Sequence, residues 1–211
     1  MNSSAVRSKI KRALDILFSA TVLVVSCPLW LIIAILIKLD STGPVFFVQK
    51  RVGKDGKPFQ ACKFRTMVQG ATDQGAGLLI EGQDDPRITR IGKFLRRWSL
   101  DELPQFINIL KGEMSVVGPR PTLLYQVEQY DEFQRRRLGV KPGITGWAQI
   151  HGRNLLSWPQ RIEYDVWYVD NWTLALDVEI IVKTFPVLFK REGLYADKEK
   201  FIIRSQDEKR R

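Results

Sequence analysis

The sequence predicts an α+β fold, predominantly helical, with an N-terminal reentrant membrane helix-hairpin, a small β-hairpin and interfacial amphipathic helices. Three observations carry this expectation: one long uncharged apolar run, an Asp-Gly turn between two short apolar strands, and apolar residues recurring at helical spacing further on. The expected boundaries are 1–40 for the membrane helix, 41–197 for a membrane-surface domain and 198–211 for a charged tail.

From Ile16 to Ile37 about 22 residues carry no charge, enough to cross a hydrocarbon layer of ~30 Å. Two features predict that the segment turns back. Pro28 sits in its middle, removes a helical hydrogen bond and clashes with the preceding turn, so a kink is expected. Basic residues flank both ends, with Arg7, Lys9, Lys11 and Arg12 before it and Lys38, Lys50, Arg51 and Lys54 after it, so no inside-outside bias results. A helix-break-helix that enters and leaves by one face satisfies both, with Ser26 placed to satisfy backbone groups freed near the break. A kinked span is the alternative. The run is too long for a signal-peptide core and lacks a small-residue cleavage site.

Val45–Val48 and Pro58–Cys62 flank Gly53-Lys54-Asp55-Gly56-Lys57, which reads as a hairpin. The glycine-rich stretch from Gln69 to Pro86 reads as a loop. Ile91, Phe94, Leu95 and Trp98 then fall at i, i+3, i+4 and i+7 among Arg90, Lys93, Arg96 and Arg97, a basic amphipathic helix suited to a headgroup layer or to an ordinary protein surface. A second such helix is expected from Leu176 to Phe189, interrupted at Pro186. Trp147, Trp158, Trp167 and Trp172 suit either an interface belt or a core.

A formal charge of +10 draws the chain to polyanions, among them anionic membrane lipids. Two cysteines give no disulfide framework and fit a reducing, cytosol-facing setting. With His151 the only histidine, a His-rich zinc site is excluded and acid chemistry falls to Asp and Glu. There is no Gly-x-Gly-x-x-Gly, no Walker loop and no nucleic-acid reader motif, so a dinucleotide fold, a P-loop ATPase and nucleic-acid binding are set aside.

Ser99-Leu100-Asp101-Glu102-Leu103-Pro104-Gln105 opens a helix-like run that ends at Gly112. One reading is purely structural: Ser99 and Glu102 have capping-box spacing. In the other, a helix starting at Glu102 puts Pro104 in its first turn and makes Asp101 the cap, with a lowered pKa and a nucleophilic carboxylate, while Glu102 holds a divalent cation. Downstream, Pro119 and Pro121 hold Arg120 in a stiff loop suited to a two-pronged phosphate contact, with Gly118 permitting an unusual turn.

Taken together, KRALDILF before the proline-broken segment, then GPVFFVQKRVG, KFRTM, RRWSLDELPQ, SVVGPRP, KPGITGWAQI and YDVWYVDNW resemble the bacterial sugar transferases, monotopic polyprenyl-phosphate phosphoglycosyl transferases. The resemblance runs from about Lys11 to Tyr195, in consistent order. It implies the minimal, catalytic-core form of the family, set in the bacterial inner membrane with residues 41–197 as a catalytic domain on the cytoplasmic face.

It further implies that Asp101 attacks the β-phosphorus of a UDP-sugar, expels UMP and is discharged by polyprenyl (undecaprenyl) phosphate. Mg²⁺ is the implied cofactor and Glu102 its ligand. Lys63, Arg96, Arg120 and Asp165 match positions around the phosphates and metal. One departure concerns the helix break: the family pattern is Ser-Pro, whereas here Cys27 precedes Pro28 and the serine is Ser26. A non-catalytic membrane-surface scaffold is the rival reading, distinguished by whether Asp101→Asn abolishes function. The sugar transferred stays open, as does a possible homodimer.

Overall fold

A computed structural model describes residues 3–74, 82 and 84–190. The expected tail at 198–211 and much of the expected 69–86 loop lie outside the described residues.

Helix α1 (Ser3–Asp40) has 38 residues and runs as a single α-helix through Pro28, not as two arms parted by non-helical residues. The Ser26 hydroxyl accepts from the Trp30 indole at 3.0 Å, so its partner there is a side chain and not the backbone. By length and composition the helix could cross a membrane, and 11% of its apolar window is buried. Its two flanks are nevertheless fixed to the same body of protein. On the first, Lys11 donates to Asp177, Arg12 donates to the Leu110 carbonyl at 2.8 Å, and Asp15 accepts from Val116 N–H at 3.0 Å. On the second, Ile33 and Ile37 pack with Phe64 and Leu95, and Asp40 accepts from the Ile91 N–H at 2.8 Å. Between the flanks Val24 and Val25 are exposed.

Strands β1 (Phe46–Val52) and β2 (Pro58–Phe64) form the expected antiparallel hairpin, with Phe46 opposite Phe64 and Val52 opposite Pro58. Asp55 at the turn has φ +55°, the left-handed conformation that Asp tolerates better than most residues. Helix α2 (Arg90–Arg97) matches the amphipathic expectation at its ends, but its apolar residues divide: Leu95 is buried while Phe94 is exposed. Helix α3 (Gln105–Lys111) ends at Gly112 with φ +86°, the expected left-handed cap.

A second sheet was not foreseen. Strands β3 (Ser115–Val117) and β4 (Gly143–Thr145) pair in parallel, with Val117 opposite Thr145, and short helices α4 (Leu124–Val127) and α5 (Glu132–Arg135) lie between them in the chain. Helices α6 (Trp147–Ile150), α7 (Trp158–Asn171) and α8 (Leu174–Lys190) follow. Pro186 lies inside α8 and does not end it. One face of α8 is buried at Leu176 and Ile180, while Val178, Val182, Phe185 and Phe189 are exposed. The main core joins Phe59 and Ala61 of β2 to Phe106, Ile109, Val117, Tyr168 and Ile180. Trp158 is buried in a second cluster with Val52, Tyr130 and Val166, whereas Trp147 stacks on the exposed Trp167 at 4.7 Å.

Candidate active site

Asp101 and Glu102 do not begin a helix. They occupy a single 3₁₀ turn, Leu100–Glu102, ahead of α3, whose own cap is Pro104. Ser99 has φ +54° and makes no capping hydrogen bond, so both the capping box and Asp101 as an N-cap are corrected. The helix instead starts one residue after Pro104, whose missing N–H is no loss at a helix entrance, and a tighter turn carries the dyad. A left-handed Ser99 costs backbone energy.

Asp101 is buried, and burial raises its pKa, with further upward pressure from Glu102 and opposition from Lys63, Arg96 and Arg120. The expected lowering is therefore also corrected, because desolvation penalises the carboxylate and no helix terminus compensates. Glu102 behaves oppositely. Burial pushes its pKa up, but Arg120 and Lys63 overcome that and hold it well below the usual carboxylate range. The contacts are explicit: Lys63 at the end of β2 donates to Glu102 Oε1 at 2.8 Å, and Arg120 reaches both oxygens, Nη1 to Oε2 at 3.3 Å and Nη2 to Oε1. Two neighbouring carboxylates thus differ in charge preference, one tending to the neutral form and one fixed as the anion.

Arg96, on α2, donates through Nε to Thr66 Oγ1 at 2.7 Å, and its charge bears on Asp101. Arg120 leaves β3 by way of Gly118 and Pro119. The expected unusual turn at Gly118 is absent, since its φ is not positive; the residue is needed for room. A Cβ there would lie 2.3 Å from the Lys141 carbonyl oxygen, and one on Gly146 would lie 2.2 Å from the Gly118 oxygen. Close backbone packing thereby fixes the base of the Arg120 loop.

These side chains open on a cavity of about 750 Å³ that also touches Phe18 of α1 and Ile181, Phe185 and Leu188 of α8. Charged and apolar side chains line one space. Residues 6–191 match the bacterial sugar transferase family.

The chain belongs to that family.

Among its relatives, an uncharacterized sugar transferase EpsL of Bacillus subtilis is 44% identical, with 88% of this chain and 90% of that protein covered. An exopolysaccharide production protein ExoY of Sinorhizobium fredii is 39% identical, with 88% of each covered. A UDP-glucose:undecaprenyl-phosphate glucose-1-phosphate transferase of Escherichia coli is 44% identical over 91% of this chain, which spans 43% of that longer protein.

Of the sugar transferase residues singled out in the sequence, Asp101, Glu102, Lys63, Arg96 and Arg120 come together around the dyad. Asp165 also borders the cavity, but its carboxylate is held by Arg137, whose Nε donates to Oδ2 at 3.0 Å. Burial raises the Asp165 pKa while Arg137 opposes the rise. Sequence reasoning missed five further arginines at the cavity: Arg51, Arg65, Arg137, Arg153 and Arg161. Burial and Arg120 lower Arg51 and Arg161 to about 10. Arg153, at φ +52°, has a buried Nη1 with no partner. In the sequence they appear only as basic residues of VQKRVG, KFRTM, RRRLG, HGRN and PQRIEY, with nothing local to gather them at one site until the fold converges them.

Proposed function

We propose that this sugar transferase moves a sugar 1-phosphate from a UDP-sugar to polyprenyl phosphate, releasing UMP, as the first membrane step in assembling a glycoconjugate such as an exopolysaccharide. The observation that carries the reading is the shared cavity: a cation-rich dyad suits a pyrophosphate, and the adjoining apolar wall suits the isoprenoid of the acceptor.

In the proposed mechanism the Asp101 carboxylate attacks the β-phosphorus and the bond to the bridging oxygen of UMP breaks. The sugar phosphate is then bonded to Asp101. An oxygen of polyprenyl phosphate attacks the same phosphorus, frees the Asp101 carboxylate and yields the polyprenyl diphosphosugar. Burial disfavours the Asp101 carboxylate that attacks, and the nearby charges of Lys63, Arg96 and Arg120 favour it. The same three cations neutralise charge that spreads over the phosphoryl oxygens, the main work in phosphoryl transfer. Glu102 anchors Lys63 and Arg120 in place.

A Mg²⁺ ion would have to share the substrate. Among the described residues no group of three or more His, Cys, Asp or Glu could hold a metal. One or two carboxylates with phosphate oxygens and water is nevertheless the usual Mg²⁺ shell, and the acceptor-only Glu102 fits it. When bound there, Mg²⁺ supplies charge neutralisation to the pyrophosphate.

We further propose that α1 reenters the membrane and that the catalytic body sits on the cytoplasmic face of the inner membrane. The support is that hydrogen bonds donated by Lys11 and Arg12 and accepted by Asp15 and Asp40 fix both flanks of the apolar run to one body. The exposed apolar stripe of α8, with Phe94 of α2, would then rest in the interface, where the basic surface meets anionic lipid.

The deciding experiment is a panel of UDP-sugars assayed for UMP release, with and without undecaprenyl phosphate. A UDP-sugar that yields sustained UMP release only with the lipid supports the proposal; no release from any of them under either condition overturns it.

A further inference from the structure

We infer that Arg137 is a positioning residue for the transfer reaction, acting through the backbone of Arg120 and held for that task by Asp165. The inference rests on Arg120 being a phosphate contact, as proposed above.

The Arg137 side chain is 4% exposed, and each of its three nitrogens has a partner. Nε and Nη2 donate to Asp165 Oδ2, Nη1 donates to the Tyr130 hydroxyl at 2.6 Å, and Nη2 also donates to the carbonyl oxygen of Arg120 at 3.0 Å. The Tyr130 hydroxyl in turn lies 3.4 Å from Thr122 Oγ1. One guanidinium therefore grips residue 120 directly and residue 122 through a tyrosine. Its Cζ lies 5.8 and 5.9 Å from the centroids of the Tyr130 and Trp158 rings.

This grip matters because of what the prolines leave free. Pro119 and Pro121 fix their own φ, and Pro121 keeps Arg120 out of the helical region. The ψ of Arg120 can still vary across the extended region, and it sets where the side chain leaves the loop relative to Glu102. A hydrogen bond to the Arg120 carbonyl removes that freedom. Asp165 supplies the countercharge that lets a buried guanidinium stay in place. The arrangement also gives Asp165 a role at the site without contact to phosphate or metal.

The test uses the full chain in detergent or nanodiscs, with transfer rates, KM for the UDP-sugar and melting temperature measured for Arg137→Lys, Arg120→Lys and the double variant. Lysine keeps the charge at 137 but lacks the planar fork. Arg137→Lys is expected to lower kcat/KM roughly 10- to 100-fold, the scale of a small misplacement of a reacting group, with KM for the UDP-sugar raised. A merely structural role would lower kcat with the folded fraction and leave KM unchanged. In the Arg120→Lys background, Arg137→Lys should add little, because both act through one contact. A second variant, Arg137→Met with Asp165→Leu, removes the pair without leaving a lone buried charge; it should melt near the wild-type temperature yet transfer slowly. Multiplicative losses in the double variant, or normal kcat and KM in the Met/Leu variant, would overturn the inference while leaving the phosphate role of Arg120 standing. Arg120→Lys at the wild-type rate would instead overturn the phosphate role, and this inference with it.

Discussion

Lys11 of α1 and Asp177 of α8 meet at 2.6 Å although 166 residues separate them, and the Tyr168 hydroxyl donates to the other Asp177 oxygen at 2.7 Å. Lys11 also donates to the Val117 carbonyl at 3.1 Å, three residues before Arg120. The basic flank before the apolar run is thus partly consumed in tying the long apolar helix to the rest of the protein. Lys11→Met leaves Asp177 short of a cation, and a loss of about 2–3 kcal/mol is expected, toward the low end for a broken buried pair because Lys11 is partly exposed. Thermal unfolding in detergent checks it. An unchanged melting temperature would mean that the pair contributes nothing net.

If both flanks of α1 stay on one body, single cysteines at Lys9 and Lys50, both exposed, should react with an impermeant reagent from the same side of sealed vesicles. The native Cys27 and Cys62 are replaced first. Labelling from opposite sides would sink the reentrant reading and favour the kinked span.

Asp101→Asn is expected to lower transfer by at least roughly 10³-fold, as removal of a nucleophile does. The UMP burst seen with UDP-sugar alone should vanish, and with it the gain of one sugar phosphate in intact-protein mass. The same change should raise stability at neutral pH. Asp101 has its folded pKa above the ordinary value, so its contribution to stability is complete below the unfolded pKa and is lost as pH rises through the folded one. Asparagine mimics the neutral acid. The melting-temperature advantage of Asp101→Asn should therefore shrink as pH falls toward about 4, the usual Asp value. A variant less stable than wild type at every pH contradicts the assignment of burial as the main influence on Asp101.

Arg120→Lys should cost about 10²-fold or more in rate, the scale for losing one preorganised charge-stabilising donor. Lysine cannot reach both Glu102 oxygens as the guanidinium does. Steady-state transfer assays, with melting temperature as the control, measure the loss. Near-normal turnover would leave the loop a structural feature.

Chelation of divalent cations should stop transfer, and added Mg²⁺ should restore it. Glu102→Gln should slow the burst and shift the Mg²⁺ concentration for half-maximal rate upward, since the amide is a poorer ligand for a hard cation. An unchanged Mg²⁺ response would remove Glu102 as the ligand. In the apo protein the same variant leaves Lys63 and Arg120 without their shared anion. Because Glu102 has a depressed pKa, the stability it contributes is present above the ordinary Glu value and lost as pH falls through the folded one.

The sequence by itself determined the elements whose signals are local. An uncharged run must leave water, an Asp-Gly pair between short strands must turn, and Gly112 must end a helix, because each depends on residues within a few positions. Ordered short motifs likewise determined the family, and they single out Asp101, Glu102, Lys63, Arg96 and Arg120, which the fold brings together. Only the tertiary structure decided the electrostatics of that set. Whether Asp101 is favoured as the anion depends on how much water reaches it and which cations lie near. Local logic predicted a helix cap and a lowered pKa, whereas folding buries the residue and raises it. The parallel pairing of Ser115–Val117 with Gly143–Thr145 joins segments some 28 residues apart with no periodic cue in either. Arg51, Arg137, Arg153 and Arg161 read as ordinary basic residues until β1, α7 and the turns between them converge on one cavity. Electrostatic energies depend on distance in space and on local dielectric, and neither quantity exists along the chain before it folds.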